Sequence, residues 1–455
     1  MTIDTLPDIA LLEIFDFYVH EALVDAWYTL VHVCRKWRSV VFGSPGRLDL
    51  QLYCTASTPV RKMLDVWPPF PIVIWVHSYE NWGVDNTVAA LEHNDRICTI
   101  NLFDLRSSQL AKVLAAMQRP FLALTRLQLR HRATAEMAPV DPASFLGGSA
   151  PRLQTLILDC IPFPALPKLL LSLTRLVYLE LWRIPDSGYI SPDAMVTGLS
   201  VLTKLESLLI EFESPRTRPD WRTRRPPPQK RTLLPVLSEL QYKGVPEYLE
   251  DLVARIDAPL LDDLAITFFH QLIFDTPQLT RFINRTPKFN THDQARVFFS
   301  DSDVFVTLPQ AFDGALELVI SCRQSDWQLS SVAQVCSSSF PWVLIAIVEH
   351  LYILEDGIWD WQDGIETGQW LELLRPFIAA KFLYISPKFT SHIASALQES
   401  IGESVAEVLP ALQTLFLEEP PLSGPVKESI DQFVATRQLT GCPVAISRWE
   451  GEFKD

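Results

Sequence analysis

The feature that most constrains the fold is a short motif repeated along the chain: two apolar residues flanking one variable residue, set in a few residues of apolar–polar alternation. It reads CTINLF at 98–103, TRLQLR at 125–130, LQTLILDC at 153–160, LVYLELW at 176–182, LESLLIEF at 205–212 and LSELQYKG at 237–244. It continues with LDDLAITF at 261–268, QARVFFS at 294–300, ALELVIS at 315–321, VEHLYIL at 348–354, AKFLYIS at 380–386 and LQTLFLE at 412–418. The first apolar members are Ile100, Leu127, Leu156, Leu179, Leu208, Leu240, Leu264, Val297, Leu318, Leu351, Leu383 and Leu415, successively 21 to 33 residues apart. RLDLQLY (47–53) and FPIVIWV (70–76) extend the series towards the N-terminus.

Alternation over this length signals a strand. Between several of the strands, apolar residues recur at helical spacing: Ile393, Leu397, Ile401, Val405 and Val408, then Val426, Ile430, Phe433 and Val434 with Gly441 as a stop. Strand, loop and helix at this period match the leucine-rich-repeat architecture, in which one unit cannot bury its own apolar face and stacking supplies the core. Each buried Leu or Ile then contributes about 1.5–3 kcal/mol. A doubly wound α/β domain also alternates strand and helix, but so many evenly spaced short strands exceed one such sheet. The expected fold is α/β: a leucine-rich-repeat-like horseshoe solenoid of parallel strands over residues 47–455, preceded by a small all-α module over 1–46. The repeats carry no consistent Asn at the turn, so the array is degenerate.

Composition narrows function. At 48% hydrophobic and 20% charged the chain can bury a large core. A net charge of −15 argues against a nucleic-acid partner, which needs clustered Lys and Arg. Seven cysteines, irregularly spaced and without a CxxC pair, fit reduced thiols in an intracellular protein. The N-terminus has no basic leader. The most apolar run, 340–354, is broken by Glu349 and His350 and is too short to span a bilayer, so no membrane partner is expected. The expected location is cytoplasmic, nuclear or both. No P-loop, dinucleotide fingerprint, HExxH or GxSxG occurs, and SDSD at 300–303 lacks the glycine and distal Glu of a calcium loop. His270, His292 and His350 have no ligand spacing, and no cysteine sits in an activating context. No catalytic residue, metal or cofactor is expected.

Two stretches interrupt the repeats. Residues 214–232 are dense in Arg and Pro and read as an exposed insertion, or as a basic grip on an acidic partner. Residues 354–370 are acidic and carry Trp359, Trp361 and Trp370, which either cap the core or meet a partner.

The N-terminal segment LPDIALLEIFDFYVHEALVDAWYTLVHVCRKWRSVVF begins with Leu6-Pro7, where Pro7 and Asp8 suit a helix start. Ile9, Leu12 and Ile14–Phe15 predict a short amphipathic helix. Leu30, Val33 and Trp37 predict one face of a second, with Arg35, Lys36 and Arg38 pointing elsewhere. About forty residues make only a thin core, which favours completion by a partner. This segment resembles an F-box: Leu-Pro, a spaced aliphatic helix, then Val-Cys-basic-basic-Trp. The nineteen residues from Ile14 to Val33 imply an extended first inter-helix loop. The whole chain, to the distal AISRWE, resembles the F-box proteins with irregular leucine-rich repeats of mushroom-forming fungi. The resemblance implies a non-catalytic, substrate-recognition subunit of a ubiquitin ligase, docked on a Skp-type adaptor and through it on a cullin. Carried over by position, the adaptor-facing residues are Leu6, Pro7, Ile9, Ile14, Phe15, Leu30, Val33, Cys34 and Trp37. Truncating a buried interface Trp often costs about 2 kcal/mol or more. The alternatives are a non-ligase repeat scaffold, in which Trp37 packs only on the first strand, and an enzyme with a solenoid pocket.

In such a repeat the residue between the apolar pair points away from the core. In chain order these are Asn101, Gln128, Ile157, Glu180, Leu209, Gln241, Ala265, Phe298, Val319, Tyr352, Tyr384 and Phe416. The last five are all apolar or aromatic, which predicts a target-binding stripe at Phe298, Val319, Tyr352, Tyr384 and Phe416, unless loops such as 354–370 cover it.

Overall fold

The computed structural model describes residues 6–21, 26–44, 49–67, 69–76, 82–132, 145–215, 230–269, 275–290, 292–309, 314–322, 325–355, 367–403, 408–418 and 423–449. The chain is α/β and its strands pair mostly in parallel. It divides into two compact units: residues 1–190 with 197–207, and residues 191–196 with 208–455.

The first unit opens with three helices, α1 (Asp8–Glu21), α2 (Ala26–Val33) and α3 (Arg35–Gly43). Six strands follow: β1 (Leu50–Tyr53), β2 (Ile72–Val76), β3 (Ile97–Leu105), β4 (Arg126–His131), β5 (Thr155–Asp159) and β6 (Tyr178–Ile184). They pair side by side in chain order, all parallel. The register explains the repeated motif. Leu52, Ile74, Ile100, Leu127, Leu156 and Leu179 are successive partners in one row and are fully buried. Each leucine thus packs on its counterpart in the next repeat, and removing it from water requires the stack. The helical module is tied to the first repeats, because Phe42 of α3 meets Trp67 edge to face at 5.5 Å.

The second unit holds β7 (Ser207–Phe212), β8 (Thr232–Leu233), β9 (Glu239–Gly244), β10 (Ile256–Asp257), β11 (Asp263–Phe268) and β12 (Gln294–Phe299). It continues with β13 (Asp303–Pro309), β14 (Ala315–Ser321), β15 (His350–Glu355), β16 (Phe382–Ile385), β17 (Thr414–Leu417) and β18 (Ala445–Arg448). β8 and β10 form a separate parallel pair. The sheet order of the others is β7-β9-β11-β14-β13-β12-β15-β16-β17-β18. The expected wholly parallel array is therefore corrected at its centre, where β12, β13 and β14 form an antiparallel meander. SDSD makes the first turn: the Ser300 amide donates to the Asp303 carbonyl at 2.9 Å, and the Asp303 amide to Ser300 Oγ at 3.0 Å. Gln328, fully buried, donates from Nε2 to the carbonyls of Ser300 and Cys322, and so ties the first turn of the meander to the end of β14. Gly314 allows the close pass of β14 by β11, since a Cβ there would lie 2.4 Å from the Asp262 carbonyl oxygen.

Helices lie against the buried side of this sheet. Phe299 of β12 packs on Trp370 and Phe389, from helices Thr367–Leu374 and Pro387–Glu403, at 6.0 and 5.1 Å. Trp370 is fully buried, so this end of the acidic 354–370 stretch caps the core, while Trp359 and Trp361 lie outside the described residues. Most of the Arg/Pro-rich stretch, 216–229, lies outside them too. Pro246, Pro277, Pro387 and Pro425 each start a helix, their fixed φ suiting the first turn. Neighbouring helices are also clamped together. Glu250, almost wholly buried on helix Pro246–Val253, accepts the Gln278 and Leu279 amides at 2.9 and 2.7 Å. A carboxylate there satisfies two amides that helix Pro277–Asn284 cannot pair itself, and it meets the positive end of that helix's dipole.

Candidate functional site

Two surfaces carry the sequence-derived candidates, one in each unit. In the first, the predicted single helix bearing Leu30, Val33 and Trp37 is broken. Cys34 is extended (φ −157°, ψ 171°), and its Sγ accepts the Trp37 amide at 3.4 Å as an N-cap for α3. Val33 therefore ends α2 exposed, while Trp37 turns inward on α3. Trp37 packs on Phe15 with ring centroids 4.8 Å apart, in a core with Leu11, Leu30, Val40 and Val41. The flanking bases hold the helices together: Lys36 Nζ donates to the Leu6 carbonyl at 2.8 Å, and Arg38 Nε to the Val31 carbonyl at 2.9 Å. The spacing ascribed to an extended loop is mostly helix, because α1 runs fourteen residues.

The nine adaptor candidates thus fall into groups. Phe15, Leu30 and Trp37 build the module's own interior. Cys34 is half-buried and caps α3, and Leu6 is half-buried. Pro7, Ile9, Ile14 and Val33 are exposed. Sequence reading missed Phe17 and Tyr18, also exposed. At 100° per residue, Ile9, Ala10, Ile14, Phe17 and Tyr18 lie on one broad side of α1, with the exposed Glu13 among them, and Leu11, Phe15 and Leu12 lie on the other. Ile9 is 63% and Phe17 70% exposed. α1 therefore carries apolar residues on both sides, and among the described residues only the Leu11, Leu12 and Phe15 side is buried.

The second surface is the side of the sheet away from the buried leucines. From β9 to β17 most of its residues are half-exposed, alternating with fully buried ones. Its central row, read across the pairs, is Gln241, Ala265, Glu317, Thr307, Arg296, Tyr352, Tyr384 and Phe416. Tyr352, Tyr384 and Phe416 form a ladder of nearly parallel rings, with centroids 4.2 and 4.5 Å apart. His350 joins from the neighbouring row. It stacks on Phe382 at 4.6 Å, and its Nδ1 is 3.3 Å from the Tyr384 hydroxyl. Trp449, just past β18, sets its ring edge against Tyr384 and Tyr352 at 5.7 and 6.2 Å. Burial pushes the Tyr384 hydroxyl up to about 12, so it stays protonated and able to donate.

Phe298 and Val319 do not belong to this row. Phe298 pairs with Leu354 and Phe305, and Phe305 with Val319, one step further along the strands. Phe298 stays on the half-exposed side, whereas Val319 is buried. The continuous apolar stripe is therefore corrected: Glu317 and Arg296 occupy the positions assigned to Val319 and Phe298. In the first unit Asn101, Gln128, Ile157 and Glu180 do align in one row, but the first three are buried and only Glu180 is half-exposed, so the face expected to be open is closed at β3–β5. His350 and Phe382 were legible from the two-residue period of HLYI and FLYI. Trp449 carried no such signal.

None of the seven cysteines, all among the described residues, is in a disulfide, and burial pushes the Cys54, Cys98 and Cys336 thiols up to about 12, 11 and 12, away from thiolate chemistry. Among the described residues no helix is long and apolar enough to cross a membrane. Searched against protein-family models the chain matches none, and no curated protein matches it.

Proposed function

We propose that this chain is a non-catalytic recognition subunit of a Skp–cullin–F-box type ubiquitin ligase, docking an adaptor through α1–α3 and a client protein through the half-exposed face of β9–β17. The observation that carries this reading is the two-sided apolar character of α1. The outward side carries exposed Ile9, Ile14 and Phe17 around Glu13, an apolar patch with no partner among the described residues. Phe15, Leu30 and Trp37 then support the docking helix from behind rather than touching the adaptor. The second reading, a repeat scaffold whose helices only cap the array, is favoured by the Phe42–Trp67 contact that anchors α3 on the first repeats.

The test is co-purification of the full chain with a Skp-type adaptor, comparing the natural sequence with Ile9→Asp/Ile14→Asp/Phe17→Asp. These side chains are exposed, so the fold should persist by circular dichroism while adaptor capture falls by about tenfold or more. Undiminished capture by the variant would place the docking face elsewhere. No capture by the natural sequence would leave the scaffold reading.

A further inference from the structure

The half-exposed face of the second unit joins two chemistries in one band. At one end stand the rings of Tyr352, Tyr384 and Phe416; at the other, carboxylates. Glu317 lies in the same row, and Glu239 and Asp263 are partners one step nearer the strand starts. Burial and the charges of Glu239, Glu317 and Asp262 push the Asp263 carboxyl up to about 6, and burial raises Glu317 as well. The cations nearby are placed otherwise. Lys288 holds Asp262 at 2.6 Å, Lys243 holds Glu211 at 3.2 Å, and Arg296 stands between ladder and carboxylates, beside Thr307 and Tyr352. Three acids thus share this end of the face with each other's repulsion only partly offset.

The ladder suits an amphipathic cation. Stacked rings turn their edges outward, offering apolar surface to methylene stems. Leaving the ladder, the row meets Arg296 first, then Thr307 and Glu317, so the carboxylate end and not the ladder itself sets the preference for a cation. From Glu239 on β9 to Phe416 on β17 the band crosses eight strands, about 34 Å at about 4.8 Å per step.

We propose that this face binds an extended, Lys- and Arg-bearing polypeptide segment, one stretch laying its side-chain stems on Tyr352, Tyr384 and Phe416 and another, past Arg296, setting its cationic heads at Glu317, Asp263 and Glu239. The inference rests on reading this face as the client surface and names the chemistry of the client.

The test is fluorescence anisotropy of the full chain with a fluorescein-labelled peptide of about ten residues, Lys and Arg alternating with Gly and Ser, which spans about 33 Å extended. Its counterpart carries Glu in place of Lys and Arg. Binding of the basic peptide alone is expected, weakening from about 50 to about 300 mM salt. Asp263→Asn/Glu317→Gln and Tyr352→Ala/Tyr384→Ala should each weaken it by about tenfold. Glu372→Gln/Glu428→Gln, exposed helix residues with the same change in charge, should stay within about twofold. Equal losses in the two charge variants would overturn the proposal by showing general attraction to an acidic chain. So would no binding of the basic peptide, equal binding of the Glu peptide, or no loss in the tyrosine variant. Adaptor capture through α1 is a separate readout, so a negative here leaves the ligase reading standing.

Discussion

Asp263→Asn tests the electrostatics of the open face directly. Asp263 is half-buried on β11 beside Glu239, with Glu317 on the next strand, and its carboxyl is raised from 3.8 to about 6. A raised acid binds more protons in the folded than in the unfolded state between those two values. Its ionisation therefore leaves stability untouched below 3.8, subtracts from it progressively as pH rises to 6, and costs the full amount above. The rise from 3.8 to about 6, at about 1.36 kcal/mol per pH unit, gives about 3 kcal/mol, and partial exposure to water and salt brings this to about 2. Asn removes the charge and keeps the shape. Urea unfolding followed by tryptophan fluorescence should show the variant more stable by about 2 kcal/mol at pH 7.5, with the gain shrinking to less than about 0.5 at pH 4. A gain that is the same at both pH values would mean packing, not charge. A loss at pH 7.5 would mean that Asp263 is satisfied where it stands, and the reasoning about repulsion would fall with it.

The remaining predictions concern buried groups. His292 is 3% exposed, neither ring nitrogen has a partner among the described residues, and burial lowers it from 6.5 to about 4. Its contribution is intact above pH 6.5 and is lost as pH falls towards 4, by up to about 3 kcal/mol, so His292→Phe in an Asp263→Asn background should flatten the acid limb of the stability profile. Glu250→Ala strands the Gln278 and Leu279 amides, and a loss of about 2–4 kcal/mol in urea unfolding is expected.

What the sequence disclosed, and what it withheld, follows from the reach of periodicity. Every segment chosen by the apolar–variable–apolar motif is a strand, and in the first unit the chosen leucines are register partners, because the two-residue period of a strand fixes which side faces in. β13 was missed although VFVTL alternates well. The 21-residue interval from Val297 to Leu318, the shortest of the series, leaves no room for a helical crossover and was the available clue. The slip at β12 and β14 has a similar origin. Both strands are long enough to offer two apolar–x–apolar triplets, and choosing the more apolar one moved Phe298 and Val319 into a row that belongs to Arg296 and Glu317. Trp37 was misplaced in space because nothing in VHVCRKW announces that a cysteine will cap a new helix. Cys34 is an uncommon N-cap, and the polar residues that usually mark such a break are absent.

The meander at residues 294–321 also bears on how such an array can change its length. β11 runs parallel to β14, and β12 to β15, so the two reversals inside the meander cancel and polarity is restored on leaving it. Losing one strand of the three would send every later repeat into the stack upside down; losing or gaining two would not. Elsewhere this lineage of repeats can grow by a single turn, but here it can be edited only in pairs, and a client laid across the face meets the chain's residues in an order that no linear alignment of repeats would display.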